Sequence, residues 1–183
     1  CYQDEDVKIW SDQFKGSDDE QILGIYLLED DFEDFYSSII NGFDQYFKIY
    51  ATKSIKNIDF DNEMLQLVSD EITKVFDNGY DKVEGIVNNR MDEIFEGELK
   101  IDKPILLDSY KLDDNIYTAV SLMKLLTQNT DDDITLIAIL NTVLIKKKII
   151  FFAYYETYDG TESIKRARAL NDLFGLKFMY QNL

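Results

Sequence analysis

From Phe32 to Tyr50 the apolar residues step by three and four. Phe32, Phe35, Tyr36, Ile39, Ile40, Phe43, Phe47 and Tyr50 share one stripe, with Asp31, Glu33, Asp34, Ser37, Asp44 and Lys48 mostly off it. That spacing predicts an amphipathic helix. Ahead of it, Ser17 to Glu20 matches a capping box, and Ile22, Leu23, Tyr26 and Leu27 follow at helical spacing. Asp59 or Asp61 can cap a further helix with Met64, Leu65, Val68, Ile72, Val75 and Phe76 on its apolar face. The same phase continues through Tyr80, Val83, Val87, Met91, Ile94 and Phe95, but Asp77, Asn78 and Gly79 read as a C-terminal cap and predict a break there.

The pattern changes between Gly97 and Pro104, the only proline. Beyond it the apolar residues run in blocks, as half-buried or buried strands do. Ile105 to Leu112, Ile116 to Leu126, Ile134 to Ile145 and Ile149 to Glu156 are the expected strands, joined by polar connectors. Ile134 to Ile145 is apolar on both faces and is expected at the centre of the sheet. A final helix is expected from about Thr161, with Ile164, Ala167, Leu170 and Phe174 buried, stopping at Gly175. Helices, then strands, then a helix give an α+β fold: N-terminal amphipathic helices on an antiparallel sheet of about four strands, closed by a C-terminal helix. Residues 1–16 read as a tether and 17–183 as one domain, with a helical part at 17–97 and the sheet and final helix at 104–183.

Composition narrows the chemistry. The 183 residues hold 12 Phe and 12 Tyr, ample for a core, and no His. The missing imidazole excludes His-ligated metals, Ser-His-Asp and Cys-His nucleophile systems. With 36 acidic against 19 basic residues the net charge is −17, which disfavours phosphate backbones and so nucleic acid. The eight glycines form no phosphate-binding loop. Of the acidic runs, that starting at Asp59 comes nearest to a calcium loop, yet Met64 stands where the turn glycine belongs and Asp70 where the bidentate Glu belongs. Asp131 to Asp133 read as a solvated loop that guards a sheet edge. No metal site and no cofactor is expected.

The one cysteine is Cys1, followed by Tyr2, Gln3, Asp4, Glu5 and Asp6. A cysteine followed at once by an acidic cluster resembles the start of mature surface-exposed lipoproteins of the Bacteroidota. The resemblance implies acylation of Cys1 and a place at the cell envelope or surface, with membrane contact only through the lipid; the alternative is a trimmed fragment of a soluble or secreted protein, with a cytoplasmic location as the other placement. The longest apolar run, Ile134 to Ile145, falls short of the roughly 20 residues of a membrane helix.

Charge is uneven along the chain. From Lys146 to Lys177 there are seven basic residues against four acidic ones. Lys146, Lys147, Lys148, Lys165, Arg166 and Arg168, with Tyr154 and Tyr158 near them, are the candidate partner-binding residues, whereas a solvated turn and a core strand are the plainer reading of the same residues. The layout of the last 50 or so residues resembles secreted bacterial α+β proteins of the PsbP/Mog1-like fold; it is a likeness of arrangement and carries no catalytic residue across. Three functions follow in order: a non-enzymatic, lipid-anchored accessory protein that binds a protein or cationic ligand; an acidic immunity or inhibitor protein that covers a basic toxin; and a small hydrolase working with paired carboxylates.

Overall fold

Seven antiparallel strands and three principal helices make up the fold in the computed structural model, which describes residues 17–27, 45–95, 99–127 and 133–182. In chain order the elements are β1 (Glu20–Leu27), β2 (Gln45–Thr52), α1 (Asn62–Lys74), α2 (Glu84–Phe95), β3 (Leu99–Ile101), β4 (Ile105–Asp113), β5 (Ile116–Thr127), β6 (Ile134–Ile145), β7 (Lys148–Thr157) and α3 (Thr161–Asn182). The sheet runs β1-β2-β7-β6-β5, and β3 and β4 share the outer edge of β5. Between them Asp102 still donates its N–H to Lys124 O at 2.9 Å, while Pro104, which has no N–H to offer the ladder, marks the interruption.

The α+β class is as expected, and so is the central place of β6, whose neighbours β5 and β7 pair along nearly its whole length. The strand count is not. Residues 20–27 and 45–52 are strands, so the helical expectation for Ile22 to Leu27 and for Phe47 and Tyr50 is overturned; the rest of that aromatic stripe, Phe32 to Phe43, lies outside the described residues. Tertiary pairing decides the matter. The outer edge of β7 needs a partner for its N–H and C=O groups, and β2 supplies it from Gln45↔Glu156 to Tyr50↔Phe151. Residues 46–50, Tyr-Phe-Lys-Ile-Tyr, suit this role because aromatic and β-branched side chains pack well on a pleated surface. Ser17 does not cap a helix either: its carbonyl accepts the N–H of Glu20 at 3.1 Å in a turn leading into β1. A further strand the sequence pattern missed is β3, only three residues long.

Helices lie on both faces of the sheet. On one face α1 packs Met64, Leu65, Val68 and Ile72 over Leu140, Leu144, Ile149 and Phe151, with Phe60 and Tyr50 beside them. Asp61 is its cap, accepting the N–H of Met64 at 2.9 Å. The expected break near Gly79 is present as a π-helical turn at Val75–Gly79 and a 3₁₀ turn at Tyr80–Lys82 before α2 starts. On the other face α3 covers Val120, Ile137, Ile139 and Tyr154, and further along Ile116, Val143 and Ile145, through Ile164, Ala167, Leu176 and Met179. Phe174 stacks on both Phe47 and Phe152 and meets Tyr26 edge-on, which ties α3 to β1, β2 and β7. The helix does not stop at Gly175 but continues to Asn182, because Leu176 and Met179 have sheet surface left to cover.

Candidate functional site

The eight partner-binding candidates of the C-terminal stretch fall into two groups. Lys146 and Lys147 form the two-residue turn between β6 and β7, both exposed and both at positive φ, 48° and 66°. Lysine in this left-handed region costs roughly 1–2 kcal/mol per residue, so the turn is held from outside. Phe60 donates its N–H to Lys147 O at 2.9 Å, and Lys148 Nζ donates to Ile58 O and Asp59 Oδ1 at 2.9 and 2.8 Å. The other candidates lie at the far end of β7, whose ten residues span roughly 30 Å at about 3.3 Å each.

At that far end the basic side chains pair with acids of the same chain. Arg166 donates to Glu156, with its Nε at 2.7 Å, and also meets Asp159. Glu156 is only 4% exposed and accepts the Tyr154 hydroxyl at 2.6 Å, with Gln45 Oε1 2.8 Å from the same hydroxyl. Burial, then the neighbouring Glu156, pushes the Tyr154 phenol far above its ordinary range. Tyr154 is thus fully buried and Tyr158 half-buried against the same core. Lys165 pairs with Glu162 at 2.6 Å, and Arg168 with Asp108 at 2.9 Å. Elsewhere Lys48, Lys74, Arg90, Lys111, Lys124 and Lys148 are likewise in ion pairs. The buried pair is Lys48 with Glu20 at 2.8 Å, where burial lowers the lysine pKa more than Glu20 raises it.

The register sorts the charge by position. Leu27, Gln45, Leu99, Thr127, Ile134 and Thr157 all lie at one end of the sheet, opposite the Lys146–Lys147 turn. The sequence that joins, leads into or leaves these strand ends, 28–44, 96–98, 128–133 and 158–160, holds twelve Asp and Glu and no Lys or Arg.

A second feature lies under α1. A cleft of about 210 Å³ opens between the C-terminal half of α1 and strands β4, β5 and β6. Ser69, Asp70, Ile72 and Thr73 line it from the helix, Ser109 and Lys111 from β4, and Tyr117, Ala119, Leu140 and Thr142 from the sheet floor. The Thr73 hydroxyl donates to Ser69 O at 2.9 Å, and Lys111 Nζ reaches Asp114 at 2.8 Å. Ser69 is only 7% exposed, and its own hydroxyl has no hydrogen-bond partner.

Sequence reasoning missed the cleft because helix α1 and the strands that line it are distant in the chain. Among the described residues no group of three or more Cys, Asp and Glu could hold a metal ion. Asp59 and Asp61, the start of the nearest calcium-loop match, are engaged by Lys148 and by the first turn of α1. Asp133 pairs with Lys124 at 2.6 Å, while Cys1 and Asp131 and Asp132 lie outside the described residues. No described helix is long and apolar enough to cross a membrane. Comparison of the chain with protein-family models, with curated proteins and with solved structures returned no match.

Proposed function

We propose that this chain is a non-enzymatic binding protein of the cell envelope or surface, acylated at Cys1, whose acid-rich end receives a cationic polypeptide. The observation that carries the reading is the sequence connecting the strand ends opposite the Lys146–Lys147 turn, which holds twelve acids and no base. A surplus of one charge sign steers an oppositely charged partner and helps to orient it.

The test is titration with a lysine-rich peptide, and with a glutamate-rich peptide as control, in the parent chain and in a variant carrying Glu96→Gln, Glu98→Gln, Asp131→Asn and Asp132→Asn. The parent is expected to bind the basic peptide, more weakly as ionic strength rises from about 0.01 to 0.15 M and the Debye length shrinks from about 30 to 8 Å. The variant is expected to bind less. Equal binding of both peptides, or no loss in the variant, overturns the charge reading. The mass of the N-terminal peptide from the native host tests the anchor: acyl chains on Cys1 are expected, and an unmodified cysteine removes the envelope from the reading. A tight 1:1 complex with one basic enzyme would turn it towards the inhibitor alternative.

A further inference from the structure

We infer that the cleft under α1 binds a small, neutral polyhydroxyl molecule of about the size of one monosaccharide ring. Its volume, about 210 Å³, bounds the ligand. An apolar cavity of about 150 Å³ takes benzene, and pockets for drug-sized ligands begin near 300 Å³, so one six-membered ring with its substituents fits and an oligomer does not. The lining bounds the chemistry. Ser69, Thr73, Ser109, Tyr117 and Thr142 offer hydroxyls beside the apolar Ile72, Ala119 and Leu140. A ring with O–H groups on its rim and C–H groups on its faces matches both kinds of wall.

Charge removes the ionic alternatives. Asp70 on the helix wall disfavours an anion, and Lys111 on the β4 wall disfavours a cation, whereas a neutral molecule meets neither repulsion. Ser69 lines the cleft, and its hydroxyl is buried, unpartnered, and able both to donate and to accept. A buried hydroxyl without a partner is uncommon in folded proteins and calls for a functional or solvent explanation. The inference does not rest on the acid-rich end, and the two fail separately.

The experiment is amide chemical-shift titration of the full chain with glucose, mannose and N-acetylglucosamine, with glucose 6-phosphate and glucosamine as charged controls. Saturable shifts are expected from at least one neutral sugar at amides 69–73, 109–111, 117–119 and 140–142, and weaker effects from the charged controls. Ser69→Ala is expected to weaken binding roughly tenfold, as loss of one ligand hydrogen bond does, without lowering the melting temperature. Ser109→Ala, on the exposed edge strand, gives a second variant in which loss of binding is read against an undisturbed core. The inference is overturned if none of the neutral sugars gives saturable shifts up to about 0.1 M, well past the millimolar range of weak ligands. It is also overturned if Ser69→Ala binds as the parent does, or if Ser69→Ala melts at lower temperature, the sign of a hydroxyl held by a structural water.

Discussion

The two faces of the sheet are closed by different means. Under α3 the buried polar groups answer one another: Asn141 and Asn171, both fully buried, exchange side-chain hydrogen bonds at 2.6 and 3.2 Å. Thr118 donates to the same Asn141 at 2.7 Å, and Tyr110 to Asp172 at 2.8 Å. The exception on this face is Arg168 Nε, unpartnered although the same guanidinium holds Asp108. Under α1 the contact is apolar, and Ser69, whose buried hydroxyl has no partner, lines the cleft. Directional bonds specify where α3 sits along the sheet, whereas apolar contact leaves α1 free to stand off at one end. The first face is scaffold. The second has room for a ligand.

The largest effect that would break this comparison is on the scaffold face. Ile139 is 1% exposed on the central strand, and Ile139→Asp both removes its burial and places an unpaired carboxylate in the core. The cost is expected to exceed about 5 kcal/mol, a large part of the 5–15 kcal/mol that holds a domain together, so the variant should not fold. A cooperative, near-native melt would show that β6 is not the centre of the sheet. A smaller effect sharpens the contrast between faces. Asn171→Ala removes a hydrogen-bond partner from Asn141 and is expected to cost about 2–3 kcal/mol. Ser69→Ala removes a hydroxyl that bonds to nothing and replaces Ser by the better helix former, so a gain of about 0.5 kcal/mol is expected. Denaturant melts of the two variants should move in opposite directions. Equal losses would mean that both faces rely on their polar groups alike.

How far the sequence could be read follows the same physics. Block-like apolar runs made β4 to β7 legible to within a residue or two, because a strand buried on both faces, such as Ile134–Ile145, has no polar side to disguise it. Asp61 was legible as a cap because capping is local. β1 and β2 were not, since Phe47 and Tyr50 satisfy a helical step of three, and only the empty edge of β7, remote in sequence, makes Gln45–Thr52 a strand. The candidate basic and aromatic residues were legible as types but not as a site. Their ion pairs with Glu156, Asp159 and Asp108 form across elements, and the length of β7 keeps the Lys146–Lys147 turn from the rest.

Gly175 gives the most local test. As a sequence signal it marks a helix end, since glycine is the residue that most readily leaves the helical conformation. In the fold α3 runs through it to Asn182, so its conformational freedom serves no turn. Close approach is not the reason for it either. A methyl group added there would meet Leu112 Cδ2 at 3.7 Å and the Phe152 ring at 3.9 Å, ordinary contact distances. Gly175→Ala is therefore expected to stabilise the domain by about 0.5–1 kcal/mol, through a less flexible unfolded chain and added contact with Leu112 and Phe152. Equilibrium denaturation read against the parent decides it. A loss of stability would mean that α3 packs on the scaffold face more tightly than those distances allow, and that the glycine is there to let the helix lie close to β4 and β7.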